Sequence, residues 1–124
     1  MKKIILFVLC FSFINLLFGL DNKLSNNYFI EMDLDTPVYA IDDGEFLSHG
    51  YDNILGNYIE IKYGKLGIIV KYCNLHKFNY FLNGKIPKGS QIGSSGVTGF
   101  IETPGLTIII TIQEDFYIMN KEEY

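Results

Sequence analysis

The chain of 124 residues has a mass of 14.2 kDa and a formal net charge of −4 at neutral pH. This length allows a single domain. The acidic balance and the scattered lysines exclude a nucleic-acid partner, which would require a basic face.

The N-terminus has the pattern of a secretory signal. Lys2 and Lys3 precede a nearly uninterrupted apolar run at residues 4–20, and a polar stretch at residues 21–27 follows. This order of charged, apolar and polar segments is typical of an exported protein. We therefore expect the protein in the periplasm or elsewhere in the cell envelope.

Cleavage of this signal is expected after Gly19, so that residues 1–19 are removed. Two alternatives stay open. The run of about 17 apolar residues is just long enough to remain as a membrane anchor, which would be the only contact with a membrane. Cys10 allows a lipoprotein interpretation.

After cleavage the chain retains one cysteine, Cys73, which excludes an internal disulfide. Its position in the middle of a predicted strand indicates a small buried hydrophobic residue rather than a nucleophile.

Residues 20–35 are predicted to form a linker and a first strand. Residues 21–27 have the composition of a solvated linker, and residues 28–32 could form a short strand. Asp33 and Asp35 then interrupt the extended pattern. These two carboxylates could bind a cation weakly, but the pattern favours a solvated acidic turn.

The predicted domain, residues 36–116, begins with extended structure at residues 38–40. The Asp42-Asp43-Gly44 turn leads into a strand at residues 45–48. Strict alternation over residues 57–63, followed by a turn at Gly64-Lys65 and the stretch 66–74, predicts a β-hairpin over residues 57–74. The residues after 116, numbered 117–124, are predicted to be a C-terminal tail.

The last third of the chain combines closely spaced glycines with a β-branched strand. Gly89, Gly93, Gly96 and Gly99 suit turns or bulges with positive φ, and Phe100 stands where a phosphate loop needs lysine. Alternation then places four apolar residues on a core face and four others toward water or a groove. The core row is Leu106, Ile108, Ile110 and Ile112, and the other row is Thr107, Ile109, Thr111 and Gln113.

These segments predict six to nine short strands and an all-β fold, a barrel or sandwich, because no stretch has an amphipathic helical period. The catalytic inventory is small. His49 and His76 are the only histidines, and the chain lacks H-x-H, H-E-x-x-H and C-x-x-C motifs and a G-x-S-x-G elbow.

From residue 36 to residue 113 the chain resembles the lysostaphin and LytM type of zinc endopeptidase, metallopeptidase family 23, whose members cut peptide cross-links in bacterial cell walls. The resemblance implies a partly open antiparallel sheet with a groove across it. The pieces that carry it are TPVYAIDDG at 36–44, GNYIEIKYG at 56–64, VKYCNL at 70–75, GKIPKGSQIGSSGVTG at 84–99 and PGLTIII at 104–110.

The same resemblance implies that the metal chemistry is lost. The three zinc-ligand positions of the family align with Ser25, Phe29 and Thr107, and its two further catalytic histidine positions align with Asn74 and Gly105. None of these side chains replaces a histidine or an aspartate as a zinc ligand. Without zinc, no bound water is activated and no scissile carbonyl is polarised. The sequence therefore predicts no cofactor and no hydrolysis.

Two kinds of function follow from this pattern. In the first, an inactive domain uses its groove to bind a peptidoglycan peptide or to regulate a cell-wall hydrolase such as an amidase. The groove-lining candidates are Tyr72, Asn74, His76 and Thr107. In the second, an enzyme uses a rearranged zinc site built from His49, His76 and acidic residues such as Asp33 or Asp35. A scaffolding subunit of the envelope is a further alternative.

Overall fold

The structure is a computed structural model that describes residues 24–81 and 83–113. The predicted signal peptide, residues 1–19, and the predicted tail, residues 117–124, lie outside the described residues. Eight strands and one short 3-10 turn, Gly64–Leu66, make up the regular structure of the described part. The strands are β1 (Leu24–Glu31), β2 (Pro37–Tyr39), β3 (Gly44–Asp52), β4 (Gly56–Tyr63), β5 (Ile68–Phe78), β6 (Lys85–Ile86), β7 (Gln91–Ser95) and β8 (Gly105–Ile112).

All strand pairs are antiparallel, in the order β1-β8-β5-β4-β3-β6. The remaining two strands pair with each other, and β7 continues the same edge of β5 beyond the end of β8. The long strand β5 therefore has β4 along one edge, and β8 followed by β7 along the other. This arrangement is the predicted all-β, partly open antiparallel sheet.

The predicted hairpin of residues 57–74 is confirmed as β4 and β5, with Tyr63 opposite Ile68 and Ile61 opposite Val70. The 3-10 turn closes it, and Gly67 ends that turn in the left-handed conformation at φ 66°. Alternating apolar residues place one face of both strands in the core.

The core lies on a single face of the sheet. Leu106 of β8 is buried, and Ile108 and Ile110 pack against the core, as the alternation predicts. Two buried tyrosines, Tyr63 and Tyr72, join their hydroxyls at 2.7 Å within this apolar cluster. Each hydroxyl thereby has a partner, which offsets the cost of removing it from water.

Strand β1 is longer than predicted. Residues 24–27, expected to be part of a solvated linker, pair with β8 from Leu24 opposite Ile112 to Asn27 opposite Ile109. The polar sequence of this segment gave no strand signal. Pairing with an isoleucine-rich neighbour overrides the weak local preference.

Strand β3 also extends further than the predicted 45–48, and β2 does not pair with it.

The prediction of positive φ at four glycines was right for Gly89 and Gly99 and wrong for Gly93 and Gly96. At those two positions a Cβ atom would lie 2.6 Å from the Lys77 carbonyl oxygen and 2.5 Å from the His76 nitrogen. Glycine is needed at positions 93 and 96 because the backbone of a neighbouring strand approaches closely.

Across residues 24–81 and 83–113, no helix has the length and hydropathy needed to cross a bilayer.

Candidate functional site

The site positions named by the family resemblance lie where β1, β8 and β5 are adjacent. Phe29 pairs with Thr107 in the β1–β8 register, and Thr107 pairs with Cys73 on β5. These side chains project from the face opposite the core residues Leu106 and Ile108, because successive residues of a strand alternate between faces. The structure therefore brings three of these positions, Phe29, Thr107 and the nearby Asn74, together.

Asn74 holds this region in place. It is 1% exposed and adopts a left-handed conformation with φ 63°, which asparagine tolerates better than most residues. Its amide nitrogen donates to the Leu55 carbonyl oxygen at 3.1 Å and to the Thr98 carbonyl oxygen at 2.9 Å. Its amide oxygen accepts a hydrogen bond from the Thr107 hydroxyl. One side chain thus connects β5 to two loops and to β8.

The two loops are also joined directly. The Phe100 amide donates to the Ile54 carbonyl oxygen at 2.8 Å, and the Thr98 hydroxyl donates to the Leu75 carbonyl oxygen at 2.9 Å. Gly99, at φ 83°, packs so closely that a Cβ atom there would lie 2.4 Å from the Gly56 nitrogen. The loops at residues 52–56 and 97–100 are therefore fixed relative to each other.

Phe29 and Gly105 form a matched pair. A Cβ atom at Gly105 would lie 2.5 Å from Cζ of Phe29 and 2.7 Å from the Ile30 carbonyl oxygen. The phenyl ring thus occupies the space that any side chain at position 105 would need. The ring itself is 47% exposed, so it covers this end of β8 without being enclosed.

Ser25 lies apart from the other positions. It pairs with Thr111, four residues along β1 from the pair formed by Phe29 and Thr107. An extended strand rises about 3.3 Å per residue, which separates Ser25 from Phe29 by about 13 Å. The straight course of β1 therefore prevents these two positions from meeting at one point.

The residues present do not fit a zinc ion. Phenylalanine and glycine offer no donor atom, and the Thr107 hydroxyl and the Asn74 amide are already bonded to each other and to backbone. Zinc sites in proteins use thiolate, imidazole and carboxylate ligands. The side chains at this site are uncharged, and the Asn74 amide and the Thr107 hydroxyl are hydrogen-bonded within the protein.

The groove-lining candidates divide into three groups. Tyr72 is 3% exposed and belongs to the core cluster, so its assignment to the groove was wrong. The alternation of residues in β5 already indicated this burial, because Tyr72 lies on the same face of the strand as the apolar Val70. Asn74 is buried and its amide is used internally, so it supports the site rather than lining it. His76 is exposed and Thr107 is partly exposed, and both remain candidates.

The rearranged metal site gains no support from the geometry. His49 lies in an aromatic cluster, with ring centroids 5.6 Å from Phe46, 5.0 Å from Phe78 and 5.1 Å from Tyr80. Asp35 is exposed and lies 3.9 Å from the Lys77 ammonium. Within the described ranges, no three side chains of histidine, cysteine, aspartate or glutamate come together in a metal-binding group.

Cys73 is buried, as predicted, and burial raises the pKa of its thiol to about 11. A thiol with so high a pKa is protonated at neutral pH and is a poor nucleophile.

The sequence did not predict the roles of Leu55 and Thr98, whose backbone carbonyl oxygens accept hydrogen bonds from Asn74. Backbone groups leave no residue-type signal in a sequence.

Comparison with known proteins identifies relatives that match this fold. Glycyl-glycine endopeptidase ALE-1 of Staphylococcus capitis is 31% identical over 90 residues, 65% of this chain and 23% of that protein. Peptidoglycan DD-endopeptidase ShyA of Vibrio cholerae is 33% identical over 75 residues, 60% of this chain and 17% of that protein. The chain thus spans about a fifth of the length of the curated relatives it matches.

Among solved structures, the catalytic domain of the antimicrobial peptidase lysostaphin from Staphylococcus simulans aligns with a TM-score of 0.60 and 29% identity. The alignment covers 70% of this chain and 65% of that domain. The model of peptidase family M23 matches residues 24–117, about three quarters of the sequence. Because this match covers more than half of the sequence, the chain belongs to peptidase family M23.

Proposed function

We propose that this domain is a non-hydrolytic member of its zinc-dependent family, a pseudo-peptidase of the cell envelope that binds and regulates a cell-wall hydrolase such as an amidase. The observation that carries this proposal is the integration of Asn74 into the fold. At the position that the resemblance assigns to a catalytic histidine, Asn74 is buried and its amide makes three hydrogen bonds within the protein.

The other family positions support the same interpretation. Phe29 fills the space beside Gly105, so a second histidine position is occupied by a neighbouring ring. Ser25 lies about 13 Å along β1 from Phe29. Replacement of single ligands would leave the geometry of a metal site intact, and the Phe29–Gly105 contact and the extended course of β1 support a wider change.

The loops clamped by Asn74 offer a surface for a protein partner. Ile54 is 68% exposed and Phe100 is 86% exposed, and the backbones of these two residues are hydrogen-bonded to each other. Large apolar side chains presented on a rigid backbone lose little conformational entropy on binding and often anchor interfaces. The envelope location is proposed because one relative is named as a peptidoglycan DD-endopeptidase.

Two measurements test the loss of hydrolysis. The first is the zinc content of the full chain after equilibration with zinc and gel filtration, where we expect far less than one equivalent. The second is dye release from labelled cell-wall sacculi with zinc present, where we expect no release by this protein alone. An active M23 endopeptidase is the positive control. One zinc per chain together with dye release would overturn the proposal.

Regulation is tested by adding an amidase from the same organism to the sacculi assay. We expect dye release above that of the amidase alone, and loss of this stimulation in Phe100→Ala. The matched control is Tyr80→Ala, because Tyr80 is also exposed but stacks on His49 in a separate cluster. Unchanged release with every amidase of that organism, or equal effects of both substitutions, would contradict the proposal.

A further inference from the structure

A second candidate site lies at the opposite end of β4 from Asn74. A pocket of about 610 Å³ opens where β3, β4, β6 and the 3-10 turn meet. Its volume is within the range of small-molecule sites, roughly 300–1,000 Å³. Its lining includes Asp43, Glu45, Lys62, Lys65, Lys85 and Pro87.

Three lysines and two carboxylates give this pocket a positive excess in an acidic protein. Glu45 is the cross-strand partner of Lys62 on one side and of Lys85 on the other. Asp43 is already engaged, because its carboxylate lies 3.9 Å from the Lys65 ammonium and accepts the Lys88 backbone N–H at 2.9 Å.

Two of the ammonium groups are available to a ligand. In the described part of the chain, neither Lys62 nor Lys85 lies within ion-pair distance of a carboxylate. Their strands flank β3 on both sides, so the two ammoniums can approach one anionic group from opposite directions. Nearby Glu45 and Asp43 disfavour a multiply charged anion such as phosphate, because like charges repel. A singly charged carboxylate fits this balance better.

The wall of the pocket provides apolar surface beside these charges. Pro87 is exposed at the rim, and Gly64 contributes no side chain, whereas Ile86 is 1% exposed and supports the wall from the core. No atom lies within 4 Å of the position that a Cβ of Gly64 would take. The pocket can therefore hold an aliphatic group next to the lysines.

We propose that this pocket binds the C-terminal carboxylate of a short aliphatic peptide, with the carboxylate between Lys62 and Lys85 and the side chains against Pro87. The lysines were not recognised in the sequence, because Lys62 and Lys65 belong to one segment and Lys85 to another, and the sheet brings the two segments together. The proposal does not depend on whether the domain hydrolyses peptidoglycan.

The test titrates the ¹⁵N-labelled full chain with acetyl-alanyl-alanine, with the same dipeptide as a C-terminal amide, and with inorganic phosphate. We expect the amide shifts of Gly44 and Gly64 to report binding of the free acid. Loss of a charge-assisted contact should make the amide-capped peptide bind about tenfold more weakly. Phosphate is expected to bind more weakly than the free acid.

Three variants locate the binding. Lys62→Gln and Lys85→Gln should each weaken binding of the free acid by about tenfold. Gly64→Leu should narrow the pocket, and the Cβ that it adds meets no atom within 4 Å. Lys77→Gln, which changes an exposed lysine outside the pocket, should leave binding unchanged.

Equal affinity for the acid and the amide, absence of binding by the free acid, or phosphate binding as tight as that of the peptide would overturn the proposal. Wild-type affinity in both lysine variants would also overturn it. The lysine variants keep the proposal testable if Gly64→Leu fails to fold, because both side chains lie at the protein surface.

Discussion

Buried polar side chains on the two faces of the sheet at β5 and β8 find their hydrogen-bond partners in different ways. On the core face, the hydroxyls of Tyr63 and Tyr72 bond to each other across adjacent strands of one hairpin. On the opposite face, Asn74 bonds to two loops and to β8, which are distant in sequence. The first network strengthens a local unit, whereas the second fixes parts of the chain that would otherwise be independent.

This difference bears on the proposal that the domain holds no zinc. In a zinc enzyme, ligands from separate segments are held together through the ion. Here an asparagine amide connects β5, β8 and the two loops by hydrogen bonds alone. Asn74 therefore has a structural role, and substitutions around it should act on stability.

The largest effect is expected for Asn74→Ala. The substitution removes both donors to the loop carbonyl oxygens and places alanine in the left-handed region. We expect the free energy of unfolding to fall by about 3 kcal/mol. Urea unfolding followed by circular dichroism measures this change.

The matched control is Asn79→Ala, which removes an exposed hydrogen bond to the Gln91 carbonyl oxygen of 2.7 Å. That loss should stay below about 1 kcal/mol, because water can replace the bond. Similar losses in the two variants would show that Asn74 has no special structural role.

Alkaline pH should destabilise the protein through Cys73. Its pKa in the folded state is raised by burial from 9.0 to about 11, so the unfolded chain loses the thiol proton first. The stabilising contribution is complete below pH 9 and is lost as the pH rises through 11. Between pH 8 and pH 10.5 we expect a loss of about 2 kcal/mol from this group.

The check is urea unfolding at both pH values for the wild type and for Cys73→Ala. The substitution should reduce the decrease by the amount assigned to the thiol. A smaller decrease will persist, because burial also raises the pKa of Tyr63 and Tyr72. An identical pH dependence in both proteins would contradict the assignment.

The pairing of Phe29 with Gly105 should appear as coupling between two substitutions. Gly105→Ala introduces a methyl group against the ring and the Ile30 carbonyl oxygen, and it should cost about 2 kcal/mol of stability. In the Phe29→Ala background the cost should be smaller, because only the backbone contact remains. Additive effects in a double-mutant cycle would disprove the coupling.

The smallest effect is expected from restoring ligand residues. A variant with Ser25→His, Phe29→Asp and Thr107→His should still not retain one equivalent of zinc, because position 25 is about 13 Å from position 29 along β1. Zinc measured after gel filtration checks this. Stoichiometric retention would show that residue identity alone, rather than the course of β1, removed the site.

Much of the fold could be predicted from the sequence, and less of the site. The alternation in residues 57–74 and the isoleucine row of β8 predicted two strand units, because each pattern is local. The extension of β1 to Leu24 depends on a partner strand more than 80 residues away, and its own residues carry no strand preference.

The site residues, like the strands, could be predicted only in part. Alignment identified Phe29, Gly105 and Thr107, which do lie together, but it also included Ser25, which does not. The role of Asn74 depends on its left-handed backbone and on two backbone acceptors, and neither is visible in residue types. Its replacement of a histidine could be predicted, but its structural role could not.

The position of Cys73 next to Thr107 gives a kinetic probe of this region. A buried, protonated thiol reacts with an alkylating reagent only after the surrounding structure opens. In a Cys10→Ser background, the alkylation rate therefore measures how often the sheet opens between β5 and β8. A bound partner that holds the two loops in place should slow this reaction, so that labelling can detect binding without knowledge of the partner's activity.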